Sequence, residues 1–357
     1  MLITAIIPTY NRAQLLARAV RSVLAQSHPG TRVLVADNAS PDDTQTVMAD
    51  LMRQDPRVAY HRHERNLGAV ANFQWLLSNV QTEAFSILSD DDLLLPGFHA
   101  RAARALTEHP GAGLYCSQTV KFTLADGTQR LRPRQGWQPG PHPAGEHTPR
   151  MLSEHFVWTA CVFTRALRDE LGPVDPAPMG DGLYLASAVA ARPFVVDMRP
   201  GAIFCTGLTN TSSGLSLEQL RANVDASRRV TGAMPLTPAL REQTLREALR
   251  LVAFTSAGNL ARAIRDGDTP HARGAAQIMR ELGQLTPSRA LRAWLMQQGA
   301  PGRALARAWQ QGFRGWKRAQ RGGAGLTIAH LLAQHAPDAP PALLHWIEHG
   351  GPRPPTT

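Results

Sequence analysis

Residues 84–96 read AFSILSDDDLLLP, and the parsing of that stretch decides the fold. Ala84 to Leu88 is a short apolar run whose length and flanks predict a buried strand ending at Ser89. Aspartate is disfavoured inside strands, so Asp90, Asp91 and Asp92 are expected just beyond the strand's C-terminal end. Three like charges so close together cost free energy unless a cation or a donor-rich ligand offsets them. A hard divalent ion with oxygen ligands, carrying phosphates in its remaining positions, accounts for such a cluster. A solvated helix start accounts for it as well, because the macrodipole favours aspartate there and the chain continues into a helix near Pro96. The triplet alone leaves both readings open.

Upstream of it, Leu2 to Ile7 reads as a first buried strand closed by PTYN at 8–11. A helix from about Arg12 to Gln26 follows, with Leu15, Leu16, Ala19, Val20, Val23 and Leu24 on one face. Thr31 to Ala36 is a second strand, and DNASPDDT at 37–44 turns the chain into a helix ending near Arg53. Pro41 at that helix start, followed by Asp42 and Asp43, is sound capping chemistry. Arg57 to His61 is a weaker third strand, RNLG at 65–68 a turn, and Ala69 to Asn79 a helix. This alternation predicts an α/β, doubly wound sheet of parallel strands. Open parallel sheets bind ligands outside the carboxyl ends of their strands, near the point where strand order reverses. Thr9 and Asn11, Asp37 and Asn38, and Asp90 to Asp92 all fall at such ends, so residues distant in sequence should converge. That convergence favours the reading of the triplet as a metal and phosphate site. No GxGxxG and no GxxxxGK[ST] stands at these turns, which leaves an ion rather than a glycine-rich loop to hold phosphates.

The 357 residues are enough for one large domain or two ordinary ones, and 43% hydrophobic with 18% charged residues is a globular balance. A net charge of +10 calls for an anionic partner. Nucleic acid is not expected as that partner, because the basic residues concentrate near the C-terminus and no base-reading motif occurs. Cys116, Cys161 and Cys205 are widely spaced and form no CxxC, so they read as reduced core residues of a cytosolic protein. No basic-then-apolar leader and no run of ~18 to 20 apolar residues appears, which predicts a soluble or peripheral protein.

After the triplet, a helix from Pro96 to His109 and a strand from Gly113 to Ser117 are expected. Leu131 to Thr148, rich in Pro, Gly and Arg, reads as a loop that folds over a bound ligand, or as an excursion without a role. Trp158 to Phe163 reads as a strand, Thr164 to Leu171 as a helix, and MGDGLY at 179–184 opens another helix. Phe194 to Asp197 and Ala202 to Cys205 read as two strands leading to TGLTNTSS at 206–213. From about Ser216 the composition shifts to Ala, Leu, Arg and Gln with helical periodicity, a helical appendage to about residue 336 before a tail rich in Pro and Gly. Between Arg289 and Arg321 stand Arg289, Arg292, Arg303, Arg307, Arg314, Lys317, Arg318 and Arg321 without an acid, interleaved with Trp294, Leu295, Leu305, Trp309, Phe313 and Trp316. Trp309, Phe313 and Trp316 share one helix face. Such a helix suits the surface of an anionic membrane, and it equally suits packing on its own domain.

The motifs IIPTYNR at 6–12, VADNASPDDT at 35–44, RNLG at 65–68 and LSDDDLLLP at 88–96, in this order, resemble the nucleotide-sugar domain of family 2 inverting glycosyltransferases with a GT-A fold. The resemblance is strong over about the first 110 residues and reaches to about residue 215. It implies a GT-A domain, a Rossmann-like doubly wound mixed sheet, over 1–215. It also implies a nucleotide-sugar donor, UDP-sugar foremost, and Mn2+ or Mg2+ on the donor's diphosphate. Pro8, Thr9, Asn11, Asp37, Arg65 and Asp90 fall on donor-binding positions, Thr9 and Asp37 at the base and Asp90 at the ribose. Arg62 is the alternative to Arg65. Asp91 falls on the metal-binding carboxylate, with Asp92 and Asn210 as additional contacts. Asp181 falls on the catalytic base, the second of an acidic pair whose first member is here Gly180. A carboxylate there must take the acceptor hydroxyl's proton as it attacks the anomeric carbon; a helix N-cap explains Asp181 too. Relatives carry a His near the position of Gly207, which this chain lacks. The implied activity is transfer to a glycan or lipid-linked acceptor in surface polysaccharide synthesis, in the cytoplasm and peripherally at the inner face of the membrane. The alternatives are a decayed nucleotide-sugar-binding protein and a nucleotidyltransferase.

Overall fold

The computed structural model describes residues 1–123, 129–131, 137–206 and 214–319. Its sheet is built from β1 (Ile3–Thr9), β2 (Thr31–Asp37), β3 (Val58–Arg62), β4 (Ala84–Ile87), β5 (Leu93–Leu94), β6 (Leu114–Thr123), β7 (Gln129–Leu131), β8 (Gly140–His142), β9 (Cys161–Thr164) and β10 (Phe194–Thr206). The order is β3-β2-β1-β4-β9-β6-β10-β5, with β7 on β6 and β8 on β10. The first four strands are mutually parallel, as the sequence alternation predicts. β9 then enters antiparallel to both β4 and β6, so the whole sheet is mixed. Helices α1 (Ala13–Leu24), α2 (Thr44–Gln54), α3 (Ala69–Asn79) and α4 (Phe98–Glu108) connect these strands. β1 is buried along nearly its whole length because helices cover both faces. α1 lays Leu16, Ala19, Val20 and Val23 onto one face beside Ile3, Ala5 and Ile7.

Several boundaries differ from expectation for physical reasons. Helix α2 starts at Thr44, not at Pro41, and Asp42 serves both helices: its Oδ1 accepts the Thr44 amide at 3.2 Å and hydroxyl at 2.5 Å, and its Oδ2 accepts the Ala13 amide at 2.9 Å. β10 is one strand where two were expected. Its register slips between Asp197 and Ala202, and Gly201 lets it pass, since a Cβ there would lie 2.0 Å from Ser117 Oγ. Within the expected loop before Thr148, Trp137 enters the core and Gly140–His142 pairs with β10 as a strand. Trp137 is 3% exposed and stacks among Phe156, Phe194 and His142. The strand expected from Trp158 begins as a single 3-10 turn (Trp158–Ala160). All three cysteines are free and buried.

The remaining helices are α5 (Thr148–Ser153), α6 (Arg165–Leu171), α7 (Gly180–Ala191), α8 (Leu217–Ala233), α9 (Pro238–Asp266), α10 (Thr269–Glu281), α11 (Pro287–Leu295) and α12 (Gly299–Ala319). Ser216 opens α8 with a reciprocal capping box to Gln219. The helical region shares a core with the sheet domain: Leu152, Leu183 and Ala186 pack with Ala226, Leu236 and Ala248. α9 to α12 close a second cluster around Ile264, Ala272, Met279 and Met296. No described helix is long and apolar enough to cross a membrane.

Candidate functional site

Thr9 and Asp37 end adjacent parallel strands and are register partners. The Thr9 hydroxyl donates to Asp90 Oδ2 at 2.8 Å, across 81 residues of sequence. β1 lies between β2 and β4, where strand order reverses, so the rim forms at the switch point. Arg12 completes it: one nitrogen, Nη1, is 3.0 Å from Asp90 Oδ1 and 3.2 Å from Asp91 Oδ2. Burial raises the pKa of Asp90, opposed by the Arg12 charge and the Thr9 hydrogen bond.

Asp37 is fully buried and fully engaged. Its Oδ1 accepts the Ser40 amide at 2.9 Å and the Ser40 hydroxyl at 2.5 Å. Its Oδ2 accepts the Tyr60 hydroxyl at 2.6 Å and lies 3.4 Å from Arg62 Nε. A carboxylate offers about four lone-pair sites, so this one has no spare capacity. Burial, then the Asp37 hydrogen bond, pushes the Tyr60 phenol up. Arg62, the register partner of Asp37 on β3, also donates to Ser40 O at 2.9 Å. Arg65 is exposed on the 64–68 turn, which Asn38 ties to the rim by accepting the Leu67 amide and donating to Asn66. The guanidinium beside Asp37 is therefore that of Arg62, the alternative, rather than Arg65.

Pro8 lies beside Ala36 one step below Thr9. Asn11 turns the chain with φ 57, a conformation that asparagine tolerates, and its amide donates to Ser40 Oγ at 2.8 Å. Ala39 sits at φ 62, a costly angle for alanine, and this local strain falls inside the binding rim.

Asp91 and Asp92 face different surroundings. Asp91 has a side chain 11% exposed and meets Arg12. Asp92, expected as an additional site contact, is completely buried; it accepts the Thr159 hydroxyl at 2.7 Å and the Cys205 amide at 2.8 Å. Burial, reinforced by the negative charge of Asp91, pushes its pKa up to about 8. It anchors the turn to β10 and to the 3-10 turn before β9. The donor set at Asp90 and Asp91 fits a cation, since a guanidinium nitrogen already stands where the two carboxylates converge. Among the described residues no group of three or more His, Cys, Asp or Glu side chains converges on such a point. A divalent ion there would take most of its ligands from phosphate oxygens or water.

Asp181 is the second residue of α7, not its cap, which is Met179. It is exposed and accepts the Gly182 amide. α7 returns through a two-residue link into β10, which runs parallel to β6. Its N-terminus therefore lies toward the sheet edge that carries the triplet, although no hydrogen bond among the described residues joins Asp181 to it. At Gly180 a Cβ would stand 2.1 Å from the Asp175 carbonyl oxygen, so the preceding loop fills the space an acidic side chain would need. Beside this point a cavity of about 620 Å3 opens between that loop and α8, lined by Asp175, Pro178, Ser216, Glu218, Asp225 and Arg229. Asn210 and the region of Gly207 lie outside the described residues, as do the side chains of Phe313 and Trp316.

Sequence reasoning passed over Arg12, Ser40, Tyr60 and Thr159. A signal existed for Tyr60: strand alternation on β3 sets it and Arg62 on one face beside the end of β2. None existed for Thr159, which reaches the triplet only through the antiparallel entry of β9.

The family model described as "Glycosyl transferase family 2" matches residues 4–172. Over 96 residues the chain is 33% identical to the GalNAc(5)-diNAcBac-PP-undecaprenol beta-1,3-glucosyltransferase of Campylobacter jejuni, covering 27% of this chain and 31% of that protein. It is 33% identical over 95 residues to the putative colanic acid biosynthesis glycosyl transferase WcaA of Escherichia coli, 27% and 34% respectively. The matched stretch spans about a third of the length of either relative. Among solved structures, TarS 1-349 of S. aureus in complex with UDP-GlcNAc superposes with a TM-score of 0.66 at 15% identity, covering 87% of this chain and 92% of that one. The mannosyltransferase PcManGT from Pyrobaculum calidifontis, in complex with GDP-Man and Mn2+, gives 0.52 at 18%, covering 86% and 87%. Identities this low speak for the fold, a GT-A sheet with C-terminal helices. The four motifs gathered on one rim of that sheet lie within residues 4–172, the stretch that matches the glycosyl transferase family 2 model.

Proposed function

We propose that the protein is an inverting glycosyltransferase that moves a sugar from a nucleotide diphosphate, UDP foremost, to a glycan or lipid-linked acceptor in surface polysaccharide synthesis. The observation that carries the reading is the rim itself: Thr9 bonded to Asp90 and beside Asp37, with Asp91 held at the same point by Arg12. Asp37, Tyr60 and Arg62 form the floor on which the base rests, and the 64–68 turn with Arg65 borders it. Asp90 faces the ribose. Asp91 would hold Mn2+ or Mg2+, which when bound screens the charge growing on the diphosphate as the bond between the anomeric carbon and the phosphate oxygen breaks. Asp181, exposed at the start of α7, takes the acceptor hydroxyl's proton, and the cavity between the Asp175 loop and α8 receives the acceptor.

The named activity of the Campylobacter relative on a lipid-linked glycan supports an acceptor at the membrane. So do the exposed Leu291, Trp294, Leu305 and Trp309 of α11 and α12, which together with Arg289 and Arg303 suit an anionic lipid surface. The protein then works on the cytoplasmic face. The crowding at Gly180 favours a second reading, a decayed protein that binds nucleotide sugar without turnover.

A thermal-shift screen of nucleotide sugars with and without Mn2+ tests donor binding, because ligand linkage raises the melting temperature. Transfer or donor hydrolysis that requires the metal and vanishes in Asp91→Ala establishes the enzyme. Tight binding without turnover for any acceptor establishes the decayed protein.

A further inference from the structure

We propose that Arg12 is a built-in counter-cation: it holds the seat between Asp90 and Asp91 while no donor is bound, and yields it to a divalent ion only when a diphosphate arrives to receive its guanidinium. The proposal rests on the reading of Asp91 as a cation ligand and deepens it. A single nitrogen, Nη1, touches both carboxylates, at 3.0 Å and 3.2 Å. That one atom stands at the point where the two carboxylates converge, the place a cation between them would take. Arg12 also reaches solvent. Its side chain is 28% exposed, and it is the N-cap of α1 without capping through its side chain. Its backbone is held regardless: Leu16 donates to Arg12 O at 3.0 Å, and Asp42 accepts the amide of Ala13 at 2.9 Å.

Charge decides the order of events. With the guanidinium seated, two carboxylates carry one net negative charge between them, too little to strip water from a divalent ion. An arriving diphosphate offers the planar guanidinium two oxygens for a bidentate contact at the N-terminus of α1, where the helix dipole also favours anions. Once the guanidinium moves to it, the seat regains both negative charges, and the metal enters with phosphate oxygens as further ligands. Metal and nucleotide then bind as a coupled pair, each strengthening the other by the same factor.

The test is Mn2+ binding to the full chain, read from the electron paramagnetic resonance of free Mn2+, alone and with UDP or GDP. Wild type is expected to bind Mn2+ alone weakly and to gain strongly from a nucleotide. Arg12→Gln should bind Mn2+ alone about 10-fold tighter, because a like charge has left the seat, and should lose most of the nucleotide enhancement. Arg12→Lys, which keeps the charge, should stay near wild type. A residue that merely props up the turn predicts the opposite sign, weaker Mn2+ binding in Arg12→Gln with or without nucleotide. That result, or unchanged binding, overturns the proposal while leaving the transferase reading intact. If wild type binds neither Mn2+ nor either nucleotide in any combination, the donor-site reading fails and the proposal fails with it.

Discussion

Replacing Asp92 by asparagine tests whether the acidic turn is held by a neutral carboxyl. The side chain is wholly buried between the Thr159 hydroxyl and the Cys205 amide, and burial, then the charge of Asp91, pushes its pKa up to about 8. In the unfolded chain the same group titrates near the ordinary value of about 3.9. The folded state therefore holds the proton more tightly. Its contribution to stability is complete below the unfolded value and is lost as pH rises through the folded one. Each pH unit in that window is worth about 1.36 kcal/mol, so raising the pH from about 4 to about 7 removes on the order of 4 kcal/mol through this group alone. An amide keeps an acceptor for Cys205, gives Thr159 a donor, and cannot ionise. The assay is urea denaturation of wild type and Asp92→Asn across the range from pH 5 to 8, reading the difference in unfolding free energy so that other titrating groups cancel. The variant should gain on wild type by roughly 1 kcal/mol per pH unit, ending clearly the more stable. Parallel curves would refute a protonated Asp92. A variant weaker by the same several kcal/mol at every pH would show that the Cys205 amide needs an ionised partner.

Asp181→Asn should lower kcat by about 10²- to 10⁴-fold while donor affinity, measured by calorimetry, stays within about two-fold; an equal loss of both would remove Asp181 from proton transfer. Gly180→Ala forces a methyl group to within 2.1 Å of the Asp175 carbonyl oxygen and should cost about 1 to 3 kcal/mol in urea unfolding. Gly180→Asp, which restores the acid expected of relatives, should cost at least as much and not raise the rate. Trp294→Ser combined with Trp309→Ser should leave stability within about 0.5 kcal/mol, since both rings are exposed, yet reduce sedimentation with anionic vesicles several-fold. Undiminished sedimentation rejects the membrane surface.

The parts of the fold that could be read from the sequence are those set by local pattern. The strands ending at Thr9 and Asp37 announce themselves as apolar runs stopped by polar turns, and the alternation with helices implies their parallel register. That alternation says nothing of β9, whose antiparallel place between β4 and β6 depends on pairing across about 80 residues, Ala84 with Thr164. Trp137 was hidden for a different reason: its neighbours are Pro, Gly and Arg, and only the arrival of Phe156 and Phe194 makes its position a core. At the site, residue type and strand-end position were enough to gather Thr9, Asp37, Asp90 and Asp91. They were not enough to separate Asp91 from Asp92. Adjacent residues in a tight turn diverge, and which one faces inward is decided by Cys205 and Thr159, 113 and 67 residues away.

How each carboxylate is neutralised leaves the pair Asp90 and Asp91 as the candidates for an ion. Asp37 is surrounded by Ser40, Tyr60 and Arg62 and has no lone pair to spare. Burial, then the charge of Asp91, pushes the pKa of Asp92 up to about 8, which favours its neutral form. Asp90 divides its oxygens between the Thr9 hydroxyl and Arg12. Asp91 is left with a share of that same guanidinium and a path to solvent. Satisfying Asp37 and Asp92 inside the protein concentrates the demand for a cation on Asp90 and Asp91, which is what the proposed site needs if its metal is to arrive with the substrate rather than stay with the enzyme. If Asp91 holds an ion as proposed, the hydrogen bonds that quiet Asp37 and Asp92 shape that site as much as Asp91 itself does.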